Sequence, residues 1–176
     1  MTLKGRKFKG LRGWAGKPTH PPLTDIPVAA YVFAMVFDLL SFIKGDGIAR
    51  DMFRAATFVI IGGAIVSIPT ALTGFWDWWK STTPHTQAWR TANWHMAVML
   101  TVTAIVLANI AVRLGDYETT DSTSGVVLAL SLIAGLLVSY GAAYGGTLVY
   151  DYEFNVEQDK GYAWSESESD KMPGDS

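Results

Sequence analysis

The fold is decided by residues 73–98, TGFWDWWKSTTPHTQAWRTANWHMAV, which join two long apolar segments of the chain. This stretch holds five of the seven tryptophans and two of the three histidines, His85 and His95, together with Asp77 and Arg90. Tryptophan rings favour the boundary between lipid and water, so the stretch is typical of a turn at a membrane surface. Any chemistry of the chain is expected here.

Four apolar blocks account for most of the remaining sequence. They cover residues 26–43, 55–76, 92–112 and 126–150. As helices they would be about 26 to 37 Å long, close to the ~30 Å of a bilayer's hydrocarbon core. In lipid every backbone polar group must be bonded within its own segment, which favours helices. The sequence therefore predicts an all-α fold, an integral membrane four-helix bundle in the lipid bilayer, made of two tandem helical hairpins with both termini on the same side.

The charge pattern predicts three regions and an orientation. Residues 1–25 form a basic arm, residues 26–150 the transmembrane domain, and residues 151–176 an acidic tail with too few aliphatic residues to order itself. Beside the spans, nine Lys and Arg lie on the side of the termini, with Lys160 as the last one counted, and four lie on the opposite side. The positive-inside rule then predicts a multi-pass protein of the cell (inner) membrane with both termini cytoplasmic.

Small residues recur every three or four positions in helices two and four. An offset of 72 positions aligns Gly63 with Gly135 and Gly74 with Gly146, which predicts that the two hairpins are copies related by an axis along the membrane normal. Because such small residues allow close helix approach, helices two and four are predicted to touch. The predicted packing residues are Gly63, Ser67, Gly74, Gly135, Ser139, Gly141, Gly145 and Gly146.

Polar residues within the apolar blocks are the candidates for buried interactions. Asp38 shares its face of helix one with small residues, and Asn109 lies on the inward face of helix three. A carboxylate at membrane depth is costly unless it is paired, so Asp38 is either functional or paired with Arg54 at the start of helix two. The predicted buried polar residues are Asp38, Asn109, Arg54 and Arg90.

Three titratable residues, His20, Asp77 and His95, are predicted at one depth near the cytoplasmic ends of three helices. One interpretation is a hydrogen-bonded lock from His95 to Asp77, with Arg90 balancing the charge. The other is a haem site, in which His20 and His95 are the axial ligands of one b-type haem and Asp77 orients an imidazole. The interpretations exclude each other, because ligands on opposite faces of a porphyrin cannot hydrogen-bond directly. No other metal site is predicted.

Several short motifs carry a resemblance to a known family. They are GKPTHPPL at residues 16–23, TGFWDW at residues 73–78 and GGTLVY at residues 145–150, with His95 between the last two. In this order they resemble the bacterial and archaeal four-helix membrane family catalogued as domain of unknown function 2231. Its members usually have two His-Pro pairs before helix one, whereas here the first pair is Lys17-Pro18 and only His20 remains. Some members are fused to Rieske iron–sulfur domains, which implies a setting of membrane electron transfer.

Three functions remain open from the sequence. The first is an accessory or anchor protein of an electron-transfer or other multi-subunit complex, which binds a protein partner through the basic arm or the acidic tail. The second is a b-type haem electron carrier, and the third is a small ion or proton pathway. The chain has no cysteine, no phosphate-binding loop and no zinc-binding helix. Enzymatic activity and nucleic-acid binding are therefore not expected.

Overall fold

The computed structural model describes residues 11, 18–45 and 47–154. This part of the chain forms four helices. They are α1 (His20–Ile43), α2 (Gly47–Ser81), α3 (Gln87–Gly115) and α4 (Gly125–Tyr150). All four are long and apolar enough to cross a membrane. The predicted all-α four-helix membrane bundle is confirmed.

Two helix boundaries differ from those predicted by hydropathy. Helix α1 begins at His20, six residues before the first apolar block, because Pro21 and Pro22 occupy its first turn, where the missing N–H groups cost nothing. Helix α2 has 35 residues and continues to Ser81, so Asp77 lies inside it and not after it. Helix α3 then begins at a capped end, where the Thr86 hydroxyl accepts a hydrogen bond from the Trp89 amide.

The helices are arranged in a ring in chain order. Helix α1 packs against α2 and α4, and α3 packs against α4 and, least closely, against α2. The backbones of α2 and α4 lie diagonally opposite and do not approach each other. The predicted contact between these two helices is therefore wrong. A stripe of small residues marks a close approach but does not say which helix approaches.

The small residues instead receive side chains of α1 and α3. A Cβ added at Gly63 would lie 2.7 Å from the Cβ of Ala30, and one at Gly135 would lie 2.6 Å from the sulfur of Met35. Both distances are too short for real atoms, so α1 sits directly on these two backbones. The Ser67 hydroxyl adds a 2.7 Å hydrogen bond to the Tyr31 phenol of α1.

Of three further predicted packing residues, one contacts a neighbouring helix and two do not. The backbone of Gly141 lies against Met99 of α3, since a Cβ there would be 2.7 Å from the sulfur. Of the residues that the structure describes, a Cβ at Gly146 would meet only Tyr150 of its own helix, at 3.9 Å. The side chain of Ser139 is exposed and bonds the carbonyl of Gly135. Gly146 and Ser139 therefore do not pack against another helix, contrary to prediction.

An apolar core fills the middle of the bundle. Its members include Tyr31, Ile60, Val102, Val106 and Val138, each at most 2% exposed. Polar clusters lie on either side of this core, one near the start of α1 and one near its end. These two clusters are the candidate sites.

Candidate functional site

An ion pair is completely buried near the end of α1. The Nη2 atom of Arg113 lies 2.6 Å from Oδ2 of Asp38, and neither side chain is exposed. Asp38 belongs to α1 and Arg113 to α3, so the pair joins helices at diagonally opposite corners of the ring. Two charges at membrane depth are stable only when their remaining donors and acceptors are also bonded.

The surrounding residues supply those bonds. Arg113 donates from Nε to Asn109 at 2.8 Å and from Nη1 to the Thr57 hydroxyl at 3.0 Å. Asp38 accepts from the Thr123 hydroxyl at 2.9 Å and from the hydroxyl of Ser131. Residues of all four helices and of the loop before α4 thus meet at one point. We call Asp38, Thr57, Asn109, Arg113, Thr123 and Ser131 the ion-pair cluster.

The ion-pair cluster corrects one prediction and confirms another. Asn109 is fully buried, as predicted, and its amide also donates to the carbonyl of Val127 at 3.2 Å. Asp38 is buried and paired, but its partner is Arg113 and not Arg54. Arg54 is the expected partner because it lies at the start of helix two, near the end of helix one, whereas Arg113 belongs to the basic residues expected beside the spans on that side. One signal was present: Arg113 lies four residues after Asn109, on the same helix face.

The second cluster contains the two histidines, and we call His20, His95 and Asp77 the histidine cluster. The Nδ1 atom of His20 lies 2.9 Å from the carbonyl oxygen of Thr70 on α2. The Nδ1 atom of His95 lies 2.8 Å from the carbonyl oxygen of Gly141 on α4. A carbonyl oxygen can only accept, so in both rings Nδ1 carries the hydrogen. In the neutral ring the lone pair is then on Nε2.

Glycines allow both imidazoles to approach the neighbouring backbone. A Cβ at Gly74 would lie 2.6 Å from Cε1 of His20, and one at Gly145 would lie 3.3 Å from Cε1 of His95. Each glycine follows the accepting carbonyl by one helical turn, so each hairpin holds its histidine in the same way. The hairpins are therefore alike at this end, at an offset of 71 positions and not the predicted 72.

The structure does not form the predicted lock. His95 bonds to the carbonyl of Gly141, and Asp77 accepts a hydrogen bond from the Leu11 amide at 3.0 Å. Arg90, predicted to be buried, is exposed. Asp77 itself is 1% exposed, but the ring nitrogens that it was predicted to orient are held by backbone carbonyls. Each imidazole is bonded instead to a carbonyl within its own hairpin.

Of the tryptophans in the last turns of α2, one is hydrogen-bonded to α3 and two are exposed. The indole of Trp78 donates to the amide oxygen of Asn93 at 2.8 Å, which ties α2 to α3. Trp76 and Trp79 are exposed, and the ammonium of Lys80 lies over both rings. His85 is exposed in the turn and has a positive φ of 67°. It lies outside the histidine cluster.

Fold and clusters together define the class of this protein. It is a membrane protein of four spans, with a buried ion pair at one end and two backbone-bound histidines at the other. Within the described residues, no group of three or more His, Cys, Asp or Glu side chains could hold a metal ion.

The chain belongs to the family described as predicted membrane protein, domain of unknown function 2231, whose profile matches residues 16–158. The resemblance of the short motifs is thereby confirmed. Comparisons with curated proteins and with solved structures found no match.

Proposed function

We propose that the histidine cluster binds one b-type haem and that this protein transfers electrons within a membrane. The observation that supports this most strongly is the matched pair of hydrogen bonds from Nδ1 of His20 and His95 to backbone carbonyls. A histidine that ligates a metal usually donates its other ring N–H to a carbonyl or a carboxylate, which fixes the tautomer. Both rings already have this arrangement, with Nε2 left for iron.

The placement of the rings also fits two axial ligands. His20 is on α1 and His95 on α3, at opposite corners of the ring of helices and at the same end of the bundle. Cofactors in helical bundles are commonly held by side chains that project inward from facing helices. A bound haem would supply one-electron transfer.

The rest of the site fixes the ligands in place. The carbonyls of Thr70 and Gly141 hold each ring plane against its neighbouring helix, and the absence of side chains at Gly74 and Gly145 permits that contact. Asp77, buried one turn after Gly74 on α2, adds a carboxylate at the same end of the bundle. A buried negative charge favours the more positive, oxidised state of a nearby group and so lowers its reduction potential.

Histidine variants test the haem site. In full-length protein produced with added haem, wild type is expected to carry one haem per chain. His20→Ala and His95→Ala should each lose most of it, because each removes one of two ligands. His85→Ala is the matched control and should keep the wild-type amount, since His85 is exposed in a turn. Equal haem content in all three variants would exclude His20 and His95 as ligands.

An accessory or anchor role is the second candidate. It is supported by the contrast between the basic residues before α1 and the acidic residues after α4, which could bind a protein partner of an electron-transfer complex. Most of both segments lies outside the described residues. A wild-type protein that stays colourless with added haem would favour this role. A third function, an ion pathway, has no supporting observation, because an apolar core separates the two polar clusters.

The proposed location is the cell membrane, with both termini in the cytoplasm. The support is the excess of Lys and Arg beside the spans on the side of the termini, nine against four when the tail is counted as far as Lys160. A reporter that is active only in the cytoplasm should work when fused after Ser176 and fail when inserted in the loop between α3 and α4. The opposite pattern would invert the orientation and place the histidine cluster at the outer face.

A further inference from the structure

Arg54 carries a charge that nothing in the described part of the chain neutralises. Its side chain is half-buried near the start of α2, and its Nε atom is buried without a hydrogen-bond partner among the described residues. Its one recorded contact is with an aromatic ring, since Cζ lies 5.6 Å from the ring centre of Tyr117. A half-buried cation at a membrane boundary is costly without an anion.

The other arginines of this end do have acceptors. Arg113 is paired with Asp38. Arg50, one turn before Arg54 on α2, lies 3.7 Å from the carboxylate of Asp121 and donates to the carbonyl of Glu118 at 3.3 Å. The Nε atom of Arg50 is buried and unbonded, as in Arg54, but its guanidinium still has these two partners. Among the described residues, Arg54 is thus set apart by the lack of any acceptor for its guanidinium.

An apolar, exposed stripe continues from Arg54 along α2. Phe58 is 68% exposed and Ile65 is 62% exposed, and both share the Arg54 face of the helix. Between them Gly62 is open, with nothing within 4 Å of a Cβ placed there. The ring of Tyr117 lies against Phe58, with centroids 6.3 Å apart. The loop after α3 therefore borders the end of the stripe that is nearest Arg54.

We propose that this surface binds one membrane phospholipid, with the phosphate on Arg54 and an acyl chain along Phe58, Gly62 and Ile65. The guanidinium presents parallel N–H donors that match two phosphate oxygens. The stripe offers hydrocarbon contact directly below the charge, which a free phosphate ion would not use. A cation at one end of an exposed apolar stripe therefore matches the headgroup and acyl chain of a phospholipid. This inference does not depend on the haem site.

Native mass spectrometry of the full-length protein in detergent tests the proposal. Wild type should keep one phospholipid under activation that strips the detergent. Arg54→Gln should bind it about tenfold more weakly, because hydrogen bonds between charged groups are worth about that factor. Arg50→Gln is the matched control on the same helix and should match wild type, since Arg50 already has acceptors in the protein. Arg54→Lys should retain an intermediate amount of phospholipid, because lysine keeps the positive charge but lacks the parallel N–H donors of the guanidinium.

Three outcomes would overturn the proposal. They are a wild type that retains no phospholipid, an Arg54→Gln variant that retains as much as wild type, and a loss of equal size in Arg50→Gln. Added inorganic phosphate provides the remaining comparison. If it binds in place of the lipid and Arg54→Gln abolishes that binding, the site takes a free anion and the phospholipid assignment is wrong. Should Arg54→Gln fail to fold, Arg54→Lys and the phosphate competition still decide the question.

Discussion

Arg113→Met is expected to destabilise the bundle by about 3 to 5 kcal/mol, because it leaves the Asp38 carboxylate buried without a counter-charge. At the same time, the side-chain oxygens of Asn109, Thr57 and Ser131 would each lose a hydrogen bond donated by Arg113. The effect should appear as a large fall in thermal stability in detergent, measured by loss of helical circular dichroism.

The double variant Asp38→Leu, Arg113→Met distinguishes the pair from simple packing. Replacing both partners of a buried ion pair by apolar residues is often close to neutral, so the double variant should be more stable than Arg113→Met alone. Arg50→Met is the matched control, since it removes an exposed pair with Asp121 and should cost less than about 1 kcal/mol. If the loss of stability in the double variant equalled the sum of the losses in Asp38→Leu and Arg113→Met, the ion pair would not be what joins α1 to α3.

Two adjacent glycines give the second large effect. Gly63→Ala should destabilise by about 1 to 3 kcal/mol, since the new methyl group would lie 2.7 Å from Ala30 and force α1 away from α2. Gly62→Ala should be neutral or stabilising by up to about 1 kcal/mol, because its Cβ has open space and alanine favours helix. Thermal unfolding of both variants under one set of conditions measures the difference.

Gly62 and Gly63 are adjacent, so the two variants are well matched. Both variants add one methyl group to the same helix turn, so helix propensity and membrane depth are matched. A Gly62→Ala variant as unstable as Gly63→Ala would show that the contact between α1 and α2 does not control stability. Gly146→Leu should also have little effect, in contrast to the predicted contact between helices two and four, because a Cβ at Gly146 meets only Tyr150 at 3.9 Å.

The sequence predicted the spans and the fold class because lipid imposes one strong requirement, that backbone polar groups be bonded within the segment. It did not predict which helices pack together. Gly63 and Gly135 mark surfaces that admit close approach, but α1 could occupy them as well as another glycine stripe could. The choice depends on the ring order of the helices, which hydropathy does not contain.

The polar contacts were missed for a related reason. The position of Arg54 at the start of helix two favours it as the partner of Asp38, whereas the bundle brings Arg113 to Asp38 across the diagonal. For His95, the prediction considered only side chains as partners and overlooked the carbonyl of Gly141. Backbone acceptors have no sequence signal of their own. The sequence predicts His20 and His95 as a pair of candidate ligands. It does not predict that both imidazoles hydrogen-bond to backbone carbonyls.

Binding of one haem by His20 and His95 together is tested most directly by the absorption spectrum of the ferric wild-type protein produced with added haem. Two imidazole ligands predict a six-coordinate, low-spin spectrum at one haem per chain. A colourless protein would contradict the claim. So would a five-coordinate, high-spin spectrum, because it would mean that only one of the two histidines reaches the iron.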